Sequence, residues 1–124
     1  MNIIFGDHIE KVRNRFTVLE LDSFDIGNTG TVVTAWCVLD QIPLTEMSLV
    51  EPLIKVHQDL MIQYQAQNWN FCKDALKQLY SRWNGEVDSF YSDLESRVNH
   101  YIENPPGLDW TGRLVKKSSE SAQD

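Results

Sequence analysis

Asn68-Trp69-Asn-Phe-Cys72-Lys-Asp-Ala-Leu76-Lys-Gln-Leu79-Tyr-Ser-Arg-Trp83-Asn84-Gly85 is the stretch on which the fold turns. Trp69, Cys72, Leu76, Leu79 and Trp83 recur at intervals of three, four, three and four, which places them on one stripe of an amphipathic helix. Asn68 is a natural cap before the first turn, and Asn84-Gly85 supplies the left-handed residues that end helices. A helix with one apolar stripe must bury it, so the sequence on either side has to provide what covers it.

Downstream, Val87, Phe90, Leu94, Val98 and Tyr101 mark a second stripe, closed by Pro105-Pro106. Upstream, Leu49, Leu53, Val56, Leu60 and Tyr64 mark another, with Ser48-x-x-Glu51 at capping-box spacing and Pro52 limiting how early regular hydrogen bonding begins. Short connections between these segments favour antiparallel neighbours, so the second and third helices form a helical hairpin leaning on the first.

Nearer the amino terminus the pattern changes. The segments 15–26 and 31–39 are rich in β-branched and aromatic residues and read as strands. Gly27-Asn28-Thr29-Gly30 between them tolerates positive φ, which predicts an antiparallel hairpin. On the first strand the apolar positions switch from Leu19 and Leu21 to Phe24 and Ile26, so a bulge or face change is expected near Asp22. Asn2 to Phe5 is a short apolar run, either a small strand or a packed terminus. A lone hairpin is marginal in water, so its apolar face lies on the helices. The expected fold is therefore α+β, an amino-terminal hairpin packed on three helices, in one domain spanning 1–117 with a disordered polar tail at 118–124.

Composition agrees with a globular chain: 124 residues, 42% hydrophobic and 23% charged. Eleven basic residues against 18 acidic ones give a net charge of -7, which argues against nonspecific nucleic-acid or anionic-membrane binding. No apolar run approaches the roughly 20 residues that span a bilayer, and no signal peptide precedes the first charges, so the cytoplasm is the expected location. Cys37 and Cys72 sit among apolar neighbours and read as small buried hydrophobes.

The order Tyr64, Trp69, Leu76, Asp88, Arg97, Pro105-Pro106, Asp109-Trp110 and Gly112 resembles the tetratricopeptide-like segment that follows the catalytic domain in bacterial class III adenylate and guanylate cyclases. Cys72 stands where that pattern has alanine, and Thr111 where it has a second aspartate. The resemblance covers less than half of the chain and implies helical packing rather than cyclase activity. Arg-Phe-Thr-Val-Leu-Glu-Leu-Asp at 15–22 and Trp-Asn-Gly-Glu-Val-Asp-Ser-Phe-Tyr at 83–91 are also similar to small proteins of large marine tailed phages, which implies an accessory or interaction role in an infected bacterial cell.

Chemistry-bearing patterns are sparse. His8, His57 and His100 are dispersed, with His57 and His100 read as surface or boundary imidazoles, and no cysteine pair has metal spacing. Glu86 with Asp88, and Asp93 with Glu95, are two apart and diverge on a helix, so they read as solvated charge. Gly27-x-x-Gly30 lacks the further glycines and lysine of a phosphate loop. Cys37 with His57 forms a nucleophile pair only where strand and helix meet. The expectation is a noncatalytic protein-interaction or oligomerisation module, a homodimer without cofactor or metal, with Trp69, Trp83, Tyr91, Arg97 and Trp110 as candidate partner-binding residues. Trp110 has two readings, an indole folded back on the helix pair or an exposed anchor. A winged helix-turn-helix is the alternative, with Lys73, Lys77, Gln78 and Arg82 as its basic edge.

Overall fold

A computed structural model describes residues 1–27, 29–40 and 44–116. Asn28 in the hairpin turn, Lys117 and the polar tail 118–124 lie outside the described residues. The strands are β1 (Asn2–Phe5), β2 (Thr17–Ile26), β3 (Thr31–Leu39) and β4 (Leu114–Lys116). The α-helices are α1 (Met47–Gln65), α2 (Trp69–Leu79) and α3 (Asp88–Glu103), and short 3-10 helices occupy Gly6–Lys11 and Leu44–Glu46.

The fold is α+β. β2 and β3 form the expected antiparallel hairpin, β1 pairs antiparallel with β3, and β4 joins the far edge of β2 in parallel, giving the order β1-β3-β2-β4. Gly27 (φ 52°) and Gly30 (φ 73°) take the left-handed conformations that the reversal requires. The register slips between Glu20 and Ser23, so Leu21 and Asp22 together oppose Ala35. That bulge explains the change of apolar parity: Leu19 and Leu21 point inward before it, Phe24 after it.

Ala35, Cys37 and Leu39 share the inward face with Leu19 and Leu21, and all five are buried. Against them lie Leu60, Met61 and Tyr64 of α1, Cys72, Leu76 and Leu79 of α2, and Leu94 and Val98 of α3, one continuous core between sheet and helices. Ile9 is buried apart from that cluster, under the first 3-10 helix, which touches β1 and β3.

Several local readings are corrected. α1 begins at Met47 without a side-chain cap, so Ser48 lies inside the first turn and Pro52 sits in the second, at the cost of one helical hydrogen bond. Its end is a Schellman motif with Gln67 (φ 62°) in the left-handed position: the N–H of Gln67 reaches the Tyr64 carbonyl at 3.1 Å and that of Asn68 the Gln63 carbonyl at 2.9 Å. Asn68 holds the N-cap position of α2, but its amide donates to Gln63 Oε1 instead of capping. α2 ends at Leu79 rather than after Trp83, because Ser81 turns left-handed (φ 64°) and gives its N–H to Asp88 Oδ1 at 2.8 Å. Trp83 thus hangs from a turn yet is still 6% exposed.

Candidate functional site

The bulge sets the polar centre of the molecule. By turning Asp22 to the helix side of β2, it presents a carboxylate to Arg97 of α3. Both terminal guanidinium nitrogens donate to it, Nη1 to Oδ1 and Nη2 to Oδ2, each at 2.9 Å, the bidentate fork that arginine makes best. Nη2 also meets Asp93 one turn earlier at 2.8 Å. Burial alone would lower the arginine's pKa, but the hydrogen bonds and charge of Asp22, with Tyr64 and Asp93, raise it, so the guanidinium is permanently charged.

Arg97 lies over the Tyr64 ring at 5.7 Å, and Tyr64 anchors an aromatic box. Trp69 and Tyr101 stack at 5.4 Å, and Trp110 closes edge-on against Tyr64 (5.2 Å), Tyr101 (5.2 Å) and Trp69 (5.6 Å). Two residues beyond Trp110 the chain passes Gln65 at Gly112 (φ 79°), where a Cβ would stand 3.1 Å from Gln65 Cγ. Burial pushes the Tyr64 phenol up to about 12 against the opposing charge of Arg97, so it stays protonated.

A second network runs through His57, which is wholly buried and not at the surface as its sequence setting suggested. Val56 and Leu60 suggested a boundary, but α1 packs along β2 beyond the reach of β4, which pairs only from Phe24 to Ile26. There the imidazole Nε2 lies 2.5 Å from the Glu20 carbonyl, an acceptor only, so Nε2 carries the proton. Nδ1 is then free to accept from the Tyr91 hydroxyl at 2.9 Å, and that oxygen accepts from Trp83 Nε1–H at 2.9 Å. One tautomer satisfies every bond from Trp83 to the β2 bulge. Burial lowers the pKa of His57, with the carbonyl bond opposing, and burial raises that of Tyr91, so both are neutral.

The five candidate residues therefore fall into two groups. Trp69, Arg97 and Trp110 meet around Tyr64, with both indoles partly buried; Trp83 and Tyr91 lie inside the core at 6% and 0% exposure, beyond the reach of a partner docking on the folded surface. Their order in sequence marks internal packing, and Trp110 does fold back on the helix pair. Both thiols are fully buried, and burial pushes each up to about 11. Both nitrogens of His57 are engaged elsewhere, so Cys37 has no base in it. His100 is exposed. Among the described residues no three His, Cys, Asp or Glu side chains gather as metal ligands would, and no helix is long and apolar enough to cross a membrane.

One surface feature lies at the β1 edge, which the sequence left undecided. Ile3 and Phe5 point to the helix side, opposite Cys37 and Ala35, but the helical layer does not reach them: they remain 43% and 51% exposed. With Phe24, Leu21 and Phe90 they line an apolar groove of about 220 Å³ beside the start of α3. Alternation within β1 was the available signal, but four residues are too few to fix it. No family model matches the chain, nor does any curated protein or solved structure.

Proposed function

We propose that the protein is a noncatalytic interaction module that associates with a second copy of itself through β1. The observation that supports this is the combination at one edge of a chargeless strand, Asn2–Phe5, with no strand beyond it among the described residues, and an uncovered apolar face at Ile3 and Phe5. An edge strand without Lys, Glu or Pro lacks the side-chain devices that keep sheets from pairing. Antiparallel addition of a second β1 satisfies the open backbone groups and buries the four exposed Ile3 and Phe5 side chains of the two copies against each other. The phage resemblance fits an accessory role of this kind in the bacterial cytoplasm.

Sedimentation equilibrium over micromolar to millimolar concentration tests the reading. A monomer–dimer equilibrium that Phe5→Glu shifts to monomer is expected; a strict monomer throughout overturns it. Nucleic-acid binding has one observation in its favour, the exposed Lys73, Lys77 and Gln78 of α2 with Arg82 in the turn after it. Asp74 interrupts that edge, and the hairpin precedes the helices instead of following a recognition helix. Retardation of duplex DNA at low salt would revive it.

A further inference from the structure

A second groove lies at the β2 edge of the sheet, along the part of β2 that β4 does not pair with and α1 flanks. Glu20 and Trp36 are cross-strand partners one residue out of phase with the buried pair Leu19 and Cys37, so both point away from the core. With Val18 and Leu19 they line a groove that Gln58, Met61 and Ile62 of α1 and Arg13 complete, enclosing about 320 Å³. That is the lower end of ligand-pocket volumes, roughly 300–1,000 Å³, and suits one long side chain better than a cofactor.

Charge decides which side chain. The Arg13 guanidinium already lies 4.9 Å over the Trp36 ring, so the indole faces a cation in the isolated chain. Arg13 is compensated by Glu10 at 3.4 Å. Glu20 is not compensated: among the described residues no lysine, arginine or histidine comes within ion-pair distance of it, although it is half-buried. Burial raises its carboxyl pKa. The groove thus holds a carboxylate without an ion-pair partner beside the apolar surface of Val18, Met61 and Ile62, in a protein of net charge -7.

We infer that this groove receives a lysine or arginine side chain of a partner polypeptide, its alkyl stem along Val18, Met61 and Ile62 and its cationic head on Glu20 beside Trp36. A long basic side chain suits both halves of the groove, since it buries its methylenes while its charge finds a carboxylate. The site lies at the β2 side of the sheet, with β3 between it and β1, so it stands whether or not the chain dimerises through β1.

The test is an NMR titration of the full chain with acetyl-Leu-Lys-Leu-amide, following the Trp36 indole N–H, assigned with Trp36→Phe. Saturable shifts are expected with this peptide, and none with the peptide carrying norleucine in place of lysine. Glu20→Gln is expected to weaken binding roughly tenfold. Glu103→Gln, which removes one exposed charge on α3, is expected to leave binding unchanged. Equal shifts with norleucine, no saturable shift with lysine, wild-type affinity in Glu20→Gln, or equal weakening by Glu103→Gln overturns the inference.

Discussion

Arg97 and Asp22, 75 positions apart, are joined by two parallel hydrogen bonds of 2.9 Å that tie α3 to the bulge of β2. Their side chains are only 16% and 13% exposed, so each is an expensive charge without the other. Arg97→Met is expected to cost about 3–5 kcal/mol in urea unfolding, and Asp22→Leu a similar amount. The double variant Asp22→Leu/Arg97→Met is expected to recover most of the loss, since no charge is then stranded. Additive losses in that cycle would show that the two residues act separately.

His57 sets an acid limit. Its folded pKa lies below the ordinary value of 6.5, so above that pH both folded and unfolded chains carry a neutral imidazole and the group adds no slope. As pH falls below 6.5 the unfolded state takes up the proton first, and stability declines until the folded pKa is passed. Protonation also puts a second donor on Nδ1, where the Tyr91 hydroxyl now donates. Urea unfolding from pH 7.5 to 5 is expected to show that decline, with a shallower slope in His57→Gln. Equal slopes would remove His57 from the acid response.

Trp110 closes the aromatic box from outside. Trp110→Ala is expected to cost about 3 kcal/mol, the low end for a large aromatic because the indole is partly exposed. Gly112→Ala is expected to cost about 1–2 kcal/mol, from positive φ and the approach of Gln65. Both losses should appear in thermal unfolding, along with a changed tryptophan emission. A neutral Gly112→Ala would mean that the strip after Pro106 does not hold this conformation.

The thiols report on opening of the core. Cys37 and Cys72 have 0% exposure and are held protonated, so a thiol reagent at pH 8 is expected to react only as fast as the chain opens. Modification at the rate of a free thiol would contradict their burial.

Much of the architecture was legible because it repeats locally. The stripe from Trp69 to Leu79, the glycines at 27 and 30 and the parity switch between Leu21 and Phe24 each carry their meaning within a few residues. β4 was not legible: three residues hold no period, and only the free edge of β2 makes them a strand. The end of α2 was missed because Ser81 yields its N–H to Asp88, seven positions on. His57 was misplaced for a similar reason, since the carbonyl that draws it inward belongs to Glu20, 37 positions away. Trp36 and Glu20 escaped notice as site residues, although their phase opposite Leu19 and Cys37 was visible in the strands.

The most direct test of self-association is amide hydrogen exchange at the amides of β1 that face away from β3, read by NMR at protein concentrations from micromolar to millimolar. Protection that rises with concentration at these amides, while that of the β2–β3 pair stays constant, is the expected result. Exchange at β1 that is the same at every concentration would contradict pairing of two copies through this strand.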